Sequence, residues 1–123
     1  MGGVDRDWST RIDMDGRVLP PWVSEIVEAA CDRFRVCADP RGAEDRSEDV
    51  ADGVAAIARG RGARMGRIVG TSGGFVHVVA VVDGWVVDLC ARVWEDGGVW
   101  PRVYREDRTD VWWPGDGWSL DRT

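Results

Sequence analysis

The feature that most constrains the fold is a β-hairpin pattern over residues 75–89. Residues 75–82 read Phe-Val-His-Val-Val-Ala-Val-Val, a strongly β-branched run, and Asp83-Gly84 separates it from a second apolar segment, Trp85 to Leu89. Asp-Gly between two such runs is typical of a two-residue hairpin turn, which needs positive φ at both turn positions. The pattern therefore predicts a tight antiparallel hairpin, and His77, the only histidine, lies on its first strand.

Two segments with helical periodicity precede the hairpin. Apolar residues recur on one stripe over about residues 21–36 and again over about residues 47–59. Pro20-Pro21 favours the start of the first helix, whereas glycines at 60 and 62 favour the end of the second. The intervening residues 38–45 combine Pro, Gly and charge, which predicts a loop.

The remaining apolar runs predict strands. They cover residues 63–69, the hairpin itself, residues 93–94 and 99–100 on either side of a turn at 95–98, and an edge strand from residues 103–104 and 111–113. Two helices followed by an antiparallel sheet of about four to five strands is an α+β layout. We expect residues 1–20 to form an N-terminal arm or a small hairpin turning at Asp15-Gly16, and residues 21–123 to form a single α+β domain.

Composition narrows the classes of function. The net charge of −6 and pI of about 4.7 argue against a nucleic-acid partner and against anionic membranes. No apolar run is long enough to cross a bilayer, and no apolar signal segment opens the sequence. Three cysteines, an odd number, favour a reducing compartment, so we expect a cytoplasmic location. No motif predicts a cofactor.

The hairpin register places polar residues together. If Val82 faces Trp85, then His77 faces Cys90, and Asp88 becomes the diagonal neighbour of His77 on the same face of the sheet. A carboxylate beside an imidazole fixes its tautomer and raises its basicity, which a catalytic triad requires. A histidine bonded to a carboxylate for purely structural reasons is the competing interpretation.

The stretch Gly-Phe-Val-His-Val-Val-Ala-Val-Val-Asp-Gly-Trp-Val-Val-Asp-Leu-Cys-Ala-Arg-Val-Trp, residues 74–94, resembles the His–Asp half of small papain-like and transglutaminase-like cysteine hydrolases. With the helix at 47–59 and the strand at 63–69, the resemblance covers about residues 45–105. It implies a papain-like/transglutaminase-like core, acyl transfer on amide or peptide bonds by His77 and Asp88, and a phage-encoded or toxin-associated factor.

The sequence departs from this family at the nucleophile. The head of the second helix, where the family has its cysteine, holds residues 45–49, with Ser47 nearest and no cysteine. Three hypotheses remain open: Ser47 replaces the cysteine, Cys37 approaches from the loop after the first helix, or Cys90 uses its position opposite His77. Ser47 is also a candidate helix N-cap, as is Asp45.

Two function classes follow, both with a protein partner or peptide substrate. The chain is either a catalytically degenerate relative that binds a protein, or an active cysteine hydrolase. Candidate contact residues are four of its eight tryptophans, Trp85, Trp94, Trp112 and Trp113; the competing interpretation is that the aromatic residues of the tail close the open side of the sheet. An acidic mimic of nucleic acid is a third class. Three cysteines and one histidine match a zinc site in number, but the spacing of Cys31 and Cys37 is wide for one, so we predict no metal.

Overall fold

The computed structural model describes residues 10–69, 76–93, 99–112 and 119–121. The fold is α+β. The α-helices are α1 (Pro21–Arg33), α2 (Pro40–Ala43), α3 (Ser47–Ile57) and α4 (Thr109–Trp112); the strands are β1 (Ala63–Val69), β2 (Val76–Val82), β3 (Trp85–Asp88), β4 (Arg102–Arg105) and β5 (Ser119–Asp121). Three short 3-10 turns complete the described chain, at Arg35–Ala38, Ala91–Val93 and Glu106–Arg108.

The strands form one antiparallel sheet in the order β4-β3-β2-β1-β5. Its centre is the predicted hairpin: Val82 pairs with Trp85 and Val81 with Val86, around a turn in which Asp83 and Gly84 have φ of 47° and 86°. Two consecutive positive φ angles are the signature of the turn that Asp-Gly favours between twisted strands. The register that the sequence predicts for this turn is confirmed.

Helices α1 and α3 cover one face of the sheet, which we call the helix face. Alternate residues of the hairpin point towards them and pack with the apolar stripes of both helices, including Val23, Val27, Val54, Ala80, Val82, Trp85 and Val87. Burying each such valine contributes roughly 1.5–3 kcal/mol. The helices are shorter than predicted: α1 ends at Arg33 before a 3-10 turn, and α3 ends at Ile57.

The opposite side of the sheet, which we call the second face, has its own smaller core of Val79, Val81, Val86, Ala91 and Tyr104. Met14 and Trp112 pack against this core, so the N-terminal segment and α4 supply its cover. Alternation along β2 therefore separates the side chains at 77, 79 and 81 from those at 78, 80 and 82.

Residues 10–20 form a small hairpin attached to the second face. Ile12 and Val18 make an isolated antiparallel bridge, and the Met14 amide donates to the Val103 carbonyl at 2.8 Å. Asp15 accepts a bond from the Arg108 guanidinium at 3.0 Å and from the Trp112 indole N–H at 3.2 Å. The Arg108 bond lowers the pKa of the Asp15 carboxyl against the opposing effect of burial.

Three elements differ from the sequence prediction. Residues 40–43 of the predicted loop form the one-turn helix α2, and the edge strand predicted at 111–113 is wrong, because residues 109–112 form α4. Thr109 donates its hydroxyl hydrogen to the Glu106 carbonyl, which continues the preceding 3-10 turn into a helix. Strand β5 was not predicted, and the turn predicted at 95–98 lies outside the described residues.

Candidate functional site

His77 and Asp88 form a buried hydrogen-bonded pair on the central hairpin. Nε2 of His77 lies 2.9 and 3.0 Å from the two carboxylate oxygens of Asp88. The side chains are 2% and 1% exposed. The contact joins adjacent antiparallel strands diagonally, as the hairpin register predicts. Asp88 thus sets the orientation of the imidazole ring.

Asp88 also redirects the chain that follows it. Its Oδ1 accepts the Cys90 backbone N–H at 2.9 Å, a local side-chain-to-backbone bond that competes with continued strand pairing. Strand β3 ends at Asp88, and its pairing with β2 stops at Ala80 and Val87. The prediction that Cys90 faces His77 is therefore wrong, because pairing with β2 does not extend past Val87 and Cys90 packs into the core of the helix face.

Cys90 meets a different partner, the thiol of Cys37. The two side chains share a hydrogen bond and are 2% and 0% exposed. Arg92 also links the segment after β3 to the turn that carries Cys37, because its guanidinium donates to the Ala38 carbonyl at 2.6 Å. A Cβ at Gly42 would collide with the Val36 carbonyl oxygen, so glycine allows α2 to pack against the turn that carries Cys37. Cys37 was a candidate nucleophile approaching the hairpin, and its neighbour in the structure is Cys90.

The two thiols differ in acidity. The hydrogen bond from the Cys90 S–H lowers the pKa of Cys37, burial opposes this, and the Arg46 charge adds to the lowering. Donation to Cys37, burial and the Asp88 carboxylate all raise the pKa of Cys90.

Ser47 is the first residue of α3 and contacts the strand that carries His77. Its Oγ accepts the Val78 backbone N–H at 3.4 Å. The predicted capping role of Ser47 or Asp45 is wrong: Arg46 occupies the cap position without a side-chain cap bond, and Asp45 adopts a φ of 59°. The Ser47 hydroxyl bonds to β2 instead.

The sheet separates the candidate nucleophiles from the histidine. Ser47, Cys37 and Cys90 belong to elements on the helix face, whereas His77 shares the second face with Val79 and Val81. Within the described part of the chain, these three side chains bond to the Val78 amide, the Gly42 carbonyl and the other thiol, and not to His77. The arrangement therefore brings together His77 with Asp88 and Cys37 with Cys90, as two separate pairs.

The predicted tryptophan contact residues have different environments. Trp85 is 7% exposed in the helix-face core, with the Arg105 guanidinium 4.9 Å from its ring centroid, so its predicted role as a surface contact is wrong. Its position on β3 points it inwards. Trp112 is half-buried and lines a surface cavity. Trp94 and Trp113 lie outside the described residues.

That cavity is a second candidate site, which we call the hairpin cavity. It has a volume of about 340 Å³, and its lining includes Ile12, Asp13, Met14, Val99, Pro101 and Trp112. The walls are mainly apolar, and Ile12 and Val99 are 46% and 56% exposed at its edge. The residue pattern over 1–20 predicts only an arm or a small hairpin and does not single out Asp13, whose one local signal is a carboxylate next to an Asp-Gly turn.

Comparison with known proteins identifies no relative, since no protein family, curated protein or solved structure matches the chain. Within the described ranges no helix is both long and apolar enough to traverse a membrane. Nor do the residues described there include a group of three or more His, Cys, Asp or Glu side chains arranged to hold a metal ion. The two residue pairs and the hairpin cavity are the features of the described residues that bear on function.

Proposed function

We propose that the protein is a catalytically degenerate papain-like/transglutaminase-like domain that binds a protein partner. The layout supports the scaffold: the head of α3 contacts β2 through Ser47, and the next strands form a hairpin in which His77 bonds to Asp88. These are the parts, in the same chain order, on which the sequence resemblance depends. The proposal extends the resemblance from local sequence to the whole core.

The observation that carries the loss of catalysis is the position of His77 relative to the hydroxyl and thiols. A general base must lie within hydrogen-bond reach of its nucleophile, and substrate must reach both. Here the sheet lies between the histidine and the three candidate nucleophiles, and His77 is 2% exposed. An imidazole so enclosed is suited to holding the end of the hairpin rather than to transferring protons.

Protein binding is supported by the apolar edge of the hairpin cavity. Ile12 and Val99 expose about half of their surface there, next to the half-buried ring of Trp112. Exposed apolar side chains around a concave, aromatic-lined surface are typical of contact sites for proteins. We assign the partner to this surface.

The alternative is an active cysteine hydrolase that uses His77 and Asp88 on amide or peptide bonds. The observation that favours it is the lowered pKa of Cys37, because a thiolate is the form of cysteine that attacks a carbonyl. In this alternative the Cys37 segment would have to move to the histidine side of the hairpin during turnover.

Cysteine alkylation separates the two functions. We expect all three cysteines of the folded protein to react with iodoacetamide at pH 7.5 at least about tenfold more slowly than free glutathione, because each is buried. Site-resolved mass spectrometry gives the three rates. His77→Gln, compared under conditions where circular dichroism shows a folded protein, should not slow any of them. A cysteine that reacts faster than glutathione and loses this excess in His77→Gln would overturn the proposal in favour of the hydrolase.

Partner binding is tested with surface variants. Val99→Asp places a charge at the apolar edge of the cavity, and we expect it to reduce the amount of a captured protein at least about tenfold in affinity purification from the source cells. Met65→Asp is the matched control, because Met65 is 41% exposed on β1 and does not line the cavity. Equal capture by wild type and both variants would show that this surface is not the binding site.

A further inference from the structure

The carboxylate of Asp13 is the most unusual polar group in the hairpin cavity. The side chain is 5% exposed. Oδ1 accepts the backbone N–H groups of Asp15 and Arg17 at 2.8 and 2.9 Å, which closes the small N-terminal hairpin. Oδ2 is buried and has no hydrogen-bond partner among the described residues. One oxygen thus holds the turn, and the other is left without a donor.

A buried carboxylate oxygen without a donor is unfavourable. Removing a charged group from water costs free energy that hydrogen bonds must offset, and most buried polar atoms in proteins have a partner. Asp13 is part of the cavity wall, but Oδ2 lies beneath its surface, so a donor that enters the cavity reaches this oxygen only when the lining shifts. A donor with a positive charge would satisfy this acceptor and also offset the negative charge of the carboxylate.

The rest of the lining indicates what carries that donor. Ile12, Met14, Val99 and Pro101 offer apolar contacts to an aliphatic chain. Trp112 adds an aromatic ring whose indole N–H is already held by Asp15 at 3.2 Å. An aromatic ring in the lining is a favourable neighbour for a cation. The cavity suits an apolar stem that ends in a cation.

The acceptor geometry favours an ammonium over a guanidinium. Guanidinium groups gain most from paired bonds to both oxygens of a carboxylate, but two backbone N–H groups already use Oδ1 of Asp13. A lysine ammonium acts as a point charge, and its four-carbon stem packs along apolar walls. The chain contains no lysine, so a second copy cannot supply this side chain.

We infer that the hairpin cavity binds a lysine side chain presented by a different protein, with its ammonium at Asp13 and its stem between Ile12, Val99 and Trp112. This inference rests on the proposed function, since it names the residue that the partner places at the same surface. It assigns to Asp13 the role of selecting an amine over a neutral or guanidinium group.

The test is a titration of the folded, ¹⁵N-labelled chain with n-butylammonium, n-butylguanidinium and n-butanol. Shifts of the Trp112 indole N–H and of the Asp15 and Arg17 amides report binding at the cavity. We expect n-butylammonium to bind about tenfold or more tightly than the other two probes, because n-butanol carries no charge and a guanidinium gains most from bonds to both carboxylate oxygens. Equal affinity for n-butanol, or no shift with n-butylammonium, would overturn the inference.

Asp13→Asn is the decisive variant, because its amide oxygen still accepts the two backbone bonds while the charge is lost. We expect the variant to lower the affinity for n-butylammonium at least about tenfold and to leave the affinity for n-butanol unchanged. Asp110→Asn is the control, because it removes an exposed carboxylate of α4 that does not line the cavity. It should change the affinity for neither probe. Unaltered n-butylammonium binding in Asp13→Asn would show that Asp13 does not select the amine.

Failure of the inference and failure of the proposed function give different results. Capture that survives acetylation of the lysate's lysines, yet is lost in Val99→Asp, would overturn the lysine assignment and leave partner binding intact. Capture that is insensitive to Val99→Asp would overturn the proposed partner site, and with it the lysine assignment.

Discussion

Replacing Asp88 with alanine should lower the free energy of unfolding by about 3–5 kcal/mol, the usual cost of removing one member of a buried ionisable pair. The carboxylate is 1% exposed, and it accepts bonds from two groups, the His77 ring and the Cys90 amide. In Asp88→Ala, the His77 ring and the Cys90 amide both lose this buried acceptor. Urea denaturation followed by far-ultraviolet circular dichroism measures the change, with the slope m checked for a constant denatured state.

Asp88→Asn is the matched control. The asparagine oxygen can still accept a bond from either donor, so we expect less than half of the loss seen in Asp88→Ala. A double variant, Asp88→Ala with His77→Ala, should lose less than the sum of the single variants, because each single change already breaks the same contact. If Asp88→Ala lowered the free energy of unfolding by less than about 1 kcal/mol, the buried pair would not stabilise the hairpin as the structure indicates.

The central hairpin could be predicted because its determinants are local. Asp83-Gly84 selects the turn, the turn fixes the register, and the register places Asp88 diagonally opposite His77. Each step depends on residues close in sequence. The contact between histidine and carboxylate followed from counting along two strands.

The prediction failed one step later, where a side chain changed the path of the backbone. Asp88 bonds to the Cys90 amide, β3 ends, and Cys90 moves to the helix face beside Cys37. Counting residues assumes that a strand continues, and an Asx-type turn after Asp88 is not visible in a period-2 pattern. The thiol pair itself depends on where α2 and the preceding turn pack, which is tertiary information.

The second face of the sheet was the least predictable part of the fold. Residues 111–113 carry strand-like Val and Trp, yet 109–112 form a helix because Thr109 and the Glu106–Arg108 turn start one. The N-terminal hairpin is held there by Asp15 contacts with residues more than 90 positions away. Local propensity carries no information about such contacts, so Asp13 could not be recognised as a site residue.

Replacing Trp100 with alanine should cost about 3–5 kcal/mol, comparable with the loss for Asp88→Ala. Trp100 is 1% exposed in the helix-face core, and its indole N–H donates to the Leu89 carbonyl at 2.8 Å. Leu89 directly follows Asp88, so the indole bond also stabilises the turn that places Cys90 beside Cys37. The same urea titration measures the loss, and faster alkylation of Cys37 or Cys90 should accompany it as the thiol pair opens.

Two comparisons divide the Trp100 effect into packing and hydrogen bonding. Trp100→Phe keeps most of the apolar volume but leaves the Leu89 carbonyl without the indole donor, so we expect a smaller loss of about 1–3 kcal/mol. Trp22→Ala removes a tryptophan that is only half-buried, with the Arg61 guanidinium 4.8 Å from its ring centroid, and should cost less than Trp100→Ala. If Trp100→Ala costs no more than Trp22→Ala, Trp100 does not occupy the closed core described for it. If Trp100→Phe costs as much as Trp100→Ala, the hydrogen bond to Leu89, rather than the buried ring, holds the segment that carries Asp88 and Cys90.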